Sequence, residues 1–148
     1  MVIGIGEKDL ALGTDWFFDQ AAHYDLPIIS SNLSCTGYNF SESKQIVVNG
    51  LDIQFYSLLD PKQKIAGCDV NDPKTAITLK DNGVRVLFSQ LTTEQLQAVL
   101  DIHQFDIVID ARNGKQIVTP DSLDEDTVLL GTGRKGKYVG YAQMNYDP

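Results

Sequence analysis

Short apolar runs separated by polar stretches set the pattern of this chain. Residues 1–5 are apolar or Gly without alternation, which suits a short strand buried on both faces. Phe17, Ala21 and Tyr24 fall at helical spacing behind Thr14, a capping residue, and Asp15, whose charge suits the first turn of a helix. Asp25-Leu26-Pro27 stops that helix, because a residue preceding proline is steered out of the helical region. Pro27-Ile28-Ile29-Ser30 is a second buried run, so the order is strand, helix, strand. That order favours a parallel pair with a right-handed crossover.

A polar stretch over residues 31–44 leads into two apolar runs, 45–48 and 51–58, split by Asn49-Gly50. Asn-Gly between two such runs predicts a β-hairpin near 45–58. Residues 60–72 are loop-like, and Asp72-Pro73 has the chemistry of a helix start. Residues 75–80 alternate and are β-branched, so the pattern alone allows a hairpin into the apolar run 84–88. A short helix over 73–81 is the expectation taken here, for a reason that comes with the family resemblance. Thr92 and Gln95 form a capping-box start, with Leu96, Val99, Leu100 and His103 on one face behind it. Residues 105–109 form a further buried strand, 121–126 an acidic loop, and 127–130 and 137–144 a closing strand pair. No internal repeat or low-complexity linker interrupts the chain.

A length of 148 residues fits one domain spanning 1–148. The formal charge of −8 argues against broad contact with a nucleic-acid backbone, although Arg134-Lys135-Gly136-Lys137 is a local basic stretch. No apolar run reaches the roughly 18–20 residues that span a bilayer. Met1-Val2-Ile3 carries neither a basic leader nor a cleavage site, which suits a mature or excised chain. Cys35 and Cys68 lack the close pairing of zinc ligands. They permit two half-buried thiols, one disulfide, or a reactive Cys35 in the polar stretch of residues 30–38.

Two motif matches fail on chemistry. Gly131-x-x-x-x-Gly136-Lys137 has most of a P-loop, but Tyr138 stands where magnesium needs Ser or Thr, and the residues after it alternate like a strand. Gly4-x-Gly6 has Asp9 in place of the third glycine of a dinucleotide fingerprint, and its charge would repel a pyrophosphate. His23 and His103 are the only histidines, and neither has a partner at the spacing of a catalytic triad. His103 reads as a residue at the core boundary.

Several phrases, in one collinear order, resemble the calcineurin-like metallophosphoesterase domain of bacterial 5′-nucleotidases and UDP-sugar hydrolases. Gly6-Glu7-Lys8-Asp9-Leu10, with Gly13 after two more residues, is similar to that family's Gly-Asn-His-Glu-Phe-x-x-Gly block. Ile28 to Leu33 resembles its Leu-Ser-Ala-Asn-Leu strand end. Asn49 to Ile53 resembles its hairpin, and Leu58-Leu59-Asp60-Pro61 its Thr-Asp-Pro turn. Val86 to Leu91 is similar to its Val-Leu-Ser-His-Leu strand, residues 105–109 to the strand before Gly-Gly-His-x-His, and Gly133 to Tyr141 to its closing strand. The family order places a helix ahead of the 84–88 strand, which decides for a helix over 73–81. The resemblance implies an α/β fold: a partial metallophosphoesterase-like α/β-sandwich with a mixed sheet, shortened at the N-terminus because the family's earlier Asp-x-His and Gly-Asp blocks have no counterpart. It also implies a bacterial source and a periplasmic or extracytoplasmic location.

The departures fall on the chemistry. The family's metal-binding Asn-His pair falls on Glu7 and Lys8, its Ser-His histidine on Gln90, and the two histidines of Gly-Gly-His-x-His on Arg112 and Gly114. A binuclear phosphatase needs about eight ligands to activate water and stabilise the leaving oxygen, and almost none remain. The expectation is a non-catalytic, 5′-nucleotidase-like domain that binds or interacts, with no cofactor, no metal and no catalytic residue. Lys8 and Arg112 are its candidates for holding a small anion or nucleotide. An exposed sheet edge left by the shortened N-terminus points to a homodimer. Two enzymatic alternatives stay open: a segment of an active phosphoesterase, and a thiol-based redox role through Cys35.

Overall fold

Asn49 and Gly50 both adopt positive φ, 52° and 83°, the backbone that a two-residue hairpin turn requires. They join β4 (Ser43–Val48) to β5 (Leu51–Leu58), which pair antiparallel from Ser43 opposite Tyr56 to Val48 opposite Leu51. The computed structural model describes residues 1–80, 82–112, 116–122, 126–133, 141, 143 and 145. Gly114, the basic stretch 134–137 and all of the expected strand 137–144 except Tyr141 and Gln143 lie outside them.

Among the described residues the chain runs β1 (Ile3–Gly4), a 3-10 turn (Glu7–Leu10), α1 (Thr14–His23), β2 (Ile28–Ile29) and β3 (Leu33–Cys35) before that hairpin. After it come β6 (Cys68–Val70), β7 (Val84–Ser89), α2 (Thr93–Leu100), β8 (Ile107–Asp110), β9 (Gln116–Ser122) and β10 (Val128–Thr132). Six strands form one mixed sheet in the order β4-β5-β7-β8-β10-β9. Its centre, β5, β7, β8 and β10, is parallel, with β4 and β9 antiparallel at the edges.

Parallel strands carry apolar residues on both faces, and here the register sorts them into rows. Tyr56, Leu87, Val108 and Leu129 lie side by side across the four parallel strands. They face the main core, where Leu96 and Val99 of α2 pack with Phe105, Leu58 and Ile77. Burying each such side chain contributes about 1.5–3 kcal/mol. The rows on either side of this one point to the opposite face: Phe55, Val86, Ile107 and Val128, and then Ser57, Phe88, Ile109 and Leu130.

The second core gathers Ile5, Leu10, Phe18, Ile28 and Leu59 under α1. Its sheet is the parallel pair β1–β2, in line with the strand-helix-strand reading. This pair rides on the end of the large sheet. Ser31 N–H donates to Ser57 O at 2.7 Å, and Ser57 N–H donates to Ser31 Oγ at 3.0 Å. Gly4 lies so close to β5 and β7 that a Cβ would stand 2.7 Å from Ser57 Oγ and 3.1 Å from Phe88 Cβ. Thr14 does not cap α1 as expected. Gly13 is the cap, and Thr14 Oγ donates instead to Ala66 O at 3.1 Å.

Two expectations are corrected. Residues 73–80 of that expected helix do not form one: Asp72 O accepts N–H groups from Thr75 and Ala76 for one turn only, and residues 77–80 are not helical. Ile77 and Leu79, two residues apart, both reach the main core, a spacing that extended backbone provides and a helix does not. Cys35 is not a reactive thiol. It lies directly opposite Cys68 in the antiparallel β3–β6 ladder, and the two form a disulfide. The reactive-thiol expectation is thereby corrected, since in this state no thiolate is left at Cys35 to act as a nucleophile.

Candidate functional site

β1, β5, β7 and β8 all end in polar residues at their carboxyl ends, the position where α/β sheets generally bind ligands. β1 runs into the Glu7–Leu10 turn, β5 into Leu59-Asp60-Pro61, β7 into Gln90, and β8 into Ala111-Arg112. Backbone pairing continues the sheet into these ends. Gln90 N–H donates to Leu58 O at 2.9 Å, and Ala111 N–H donates to Ser89 O at 2.9 Å.

Asp60 is the centre of the cluster. It is buried, with 4% of its surface exposed, and three donors converge on its carboxylate. Arg112 Nη1 donates to Oδ2 at 2.6 Å. Gln95 Nε2 and the Lys62 N–H both donate to Oδ1, at 2.8 and 3.0 Å. Gln95 holds this position through the capping box of α2: its N–H donates to Thr92 Oγ at 3.2 Å, and its Oε1 accepts from Thr92 N–H at 2.8 Å. Burial works to raise the Asp60 carboxyl. The Lys62 N–H, the Arg112 and Gln95 bonds and the Arg112 charge outweigh it, so the group titrates below its ordinary value.

Gln90 links Asp60 to the N-terminal turn. Its backbone oxygen accepts a second bond from Arg112 Nη1 at 3.1 Å, while its side-chain Oε1 accepts the Glu7 N–H at 3.2 Å. The Gln90 amide presses on Gly6, where an added Cβ would meet Nε2 well inside contact distance. A side chain at Gly6 would have to displace that amide. Asp9 Oδ2 accepts the Gly6 N–H at 2.8 Å, and Gln63 Nε2 reaches Glu7 Oε2 at 3.4 Å.

Glu7, Gln90 and Arg112 are therefore brought into one cluster. Lys8 is exposed on the same turn, and no side-chain bond of its own is found among the described residues. Sequence reasoning treated Asp60 as part of a turn and Gln95 as a cap, and missed both as members of the site. The available signal was a lone carboxylate directly after the apolar run of β5.

Among the described residues the donor set does not fit a pair of divalent cations. No imidazole enters the cluster. Its most buried carboxylate, Asp60, is paired with the Arg112 guanidinium. Among the described residues no three of His, Cys, Asp and Glu are grouped so as to hold a metal.

Solved structures identify the architecture. The sulfate thiohydrolase SoxB of Thermus thermophilus, in complex with glycerol, superposes with a TM-score of 0.68 over 88% of this chain at 12% identity. The fold is metallophosphoesterase-like. A protein of Staphylococcus aureus assigned as a 5′-nucleotidase, in complex with α-ketoglutarate, superposes over 89% of the chain with a TM-score of 0.65 at 12% identity. A hypothetical protein from Thermus thermophilus does so over 90%, with a TM-score of 0.62 at 13% identity. The chain spans 27%, 32% and 54% of the SoxB, Staphylococcus and hypothetical proteins, respectively. No protein-family model and no curated protein sequence matches it. The metallophosphoesterase-like frame places the Asp60–Arg112 pair at the strand ends of the mixed α/β sheet.

Proposed function

We propose that this chain is a non-catalytic, 5′-nucleotidase-like domain that has lost a binuclear metal site and serves in binding or interaction. The observation that carries this reading is the Arg112–Asp60 ion pair at 2.6 Å. Glu7, Lys8, Gln90 and Arg112 stand, on this reading, at former metal-ligand positions, with Gly114 as a fifth outside the described residues. The guanidinium keeps a usable edge. Both Nη1 hydrogens go to Asp60 and Gln90, while Nε and Nη2 have no partner among the described residues, and the side chain is 36% exposed. That edge has the fork geometry that grips a carboxylate or phosphate. It is the candidate contact for a small anion or the phosphate of a nucleotide, with Lys8 as a second charge. The disulfide supports an oxidising, extracytoplasmic location.

The test is hydrolysis of a generic phosphate ester by the purified chain with manganese, zinc or magnesium added. We expect background rates, unchanged by chelator. Turnover that chelator abolishes would overturn the reading. The competing reading, a segment of an active phosphoesterase, draws on the greater length of the solved relatives, and the same positive result would favour it.

A further inference from the structure

A groove of about 320 Å³ runs between the carboxyl-terminal half of α1 and residues 38–41. Ala21 and Ala22 leave it open on the helix side, and Tyr38 and Phe40 line it from the neighbouring segment. Both rings stack on Phe18, with centroids 4.4 and 5.3 Å away and planes 26° and 7° apart. The second core therefore holds this wall in place. The groove shares no residue with the Asp60–Arg112 cluster, and the reading of that cluster does not bear on it.

Carboxylates stand along this face. Asp25 lines the groove just past the carboxyl end of α1, where the helix dipole is also negative. Asp15 Oδ1 accepts the Tyr38 hydroxyl at 3.0 Å. Partial burial, that bond and the charges of Asp15 and Asp19 push the Tyr38 hydroxyl above its ordinary value, so both carboxylates act on the wall of the groove. Residues 9–43 hold five carboxylates and no lysine or arginine. Among the described residues no cation pairs with Asp15, Asp19 or Asp25.

An exposed ring accompanies the charge at each end of the helix. Trp16, next to Asp15, is 50% exposed, and Tyr24, next to Asp25, is 64% exposed. A carboxylate beside an aromatic ring suits a guanidinium, which pairs with the one and stacks on the other. The volume lies near the lower end for small-molecule pockets and suits a single long side chain. Asp15 and Asp25 are about 15 Å apart along the helix rise. A small cation does not reach across that span, but about four or five residues of extended chain do. A nucleic acid would bring the wrong charge. We propose that this face docks an extended, arginine-bearing segment of a partner protein, with one guanidinium in the groove beside Asp25 and another against Asp15 and Trp16.

Amide chemical-shift titration of the purified chain tests this. The probe is a capped heptapeptide of glycine and serine with arginines at its second and sixth positions. Saturable binding is expected, with the largest shifts in residues 15–25 and 38–41. Replacing both arginines by citrulline keeps their shape and removes their charge. It should weaken binding about tenfold or more, and this comparison uses the unsubstituted protein. Asp15→Asn combined with Asp25→Asn should weaken binding by a similar factor, whereas Asp52→Asn, on β5, should leave it unchanged. Equal binding of the citrulline peptide would overturn the proposal, as would a double variant that binds like the parent. So would arginine amide alone binding as tightly as the peptide, shifts centred elsewhere, or no saturation at millimolar peptide.

Discussion

The six-stranded sheet and the β3–β6 ladder hold their strands in opposite ways. The sheet depends on dispersed burial. Its row of Tyr56, Leu87, Val108 and Leu129 repeats one kind of apolar contact across four strands, and losing any member leaves the others in place. The ladder has three residues on each side and depends on single attachments. One is the Cys35–Cys68 disulfide. Another is the buried Asn32, whose Nδ2 donates to Leu59 O at 2.8 Å and Asn71 O at 3.1 Å, while its Oδ1 accepts from Leu59 N–H at 2.9 Å. Burial tolerates substitution by degrees, but a point attachment is either made or absent. The Asp60–Arg112 site lies between these regimes, built of point contacts on the ends of the sheet.

The comparison is broken most severely in the sheet's core. Phe105 is fully buried and its ring meets Tyr56 edge-on at 5.7 Å. Phe105→Ala should cost about 3–5 kcal/mol of unfolding free energy, read by denaturant titration. A loss below about 1 kcal/mol would mean that burial is not what holds the sheet. Next comes the double substitution Cys35→Ala with Cys68→Ala. The disulfide spans 33 residues, and in the chain-entropy account its removal costs about 3–4 kcal/mol. Amide exchange should rise first in β3 and β6 and leave β7 and β8 protected. Equal loosening of both regions would erase the distinction drawn here.

The smallest expected effect is at the site. Asp60→Asn should cost about 1–3 kcal/mol, because hydrogen bonds to a charged group are lost while Arg112 keeps access to water. The sign with pH follows from the depressed carboxyl. The contribution of Asp60 is complete above the unfolded carboxylate value of about 4 and fades as pH falls toward the lower folded value. The gap between the parent protein and Asp60→Asn should therefore be constant above about pH 5 and close in acid. A gap that widens in acid would show that Asp60 is not the charged partner of Arg112.

Legibility in the sequence followed the same division. β5, β7 and β8 announce themselves as apolar runs, the hairpin as Asn49-Gly50, and the start of α2 as Thr92 with Gln95, because each signal is local. β3 and β6 were read as loop, since three-residue strands in a polar stretch are defined only by a partner more than 30 residues away. β9 (Gln116–Ser122) runs into residues 121–126, which read as an acidic loop, and among the described residues it stands at the sheet edge, where its Pro120 is tolerated. The helix expected over 73–81 came from family order overriding an alternation that Ile77 and Leu79 then obeyed. At the site, the resemblance pointed to Glu7, Gln90 and Arg112. Asp60, which joins them, was not singled out, because one carboxylate after a strand has no spacing pattern to mark it.

The disulfide also changes what a cut in the chain can do. Cys35 and Cys68 close a covalent ring around residues 36–67, and the whole β4–β5 hairpin lies inside it. A protease that nicks the hairpin tip at Asn49-Gly50 leaves both fragments joined, and they part only under reduction. The edge strand β4 can thus be severed from β5 in sequence while staying tethered beside it.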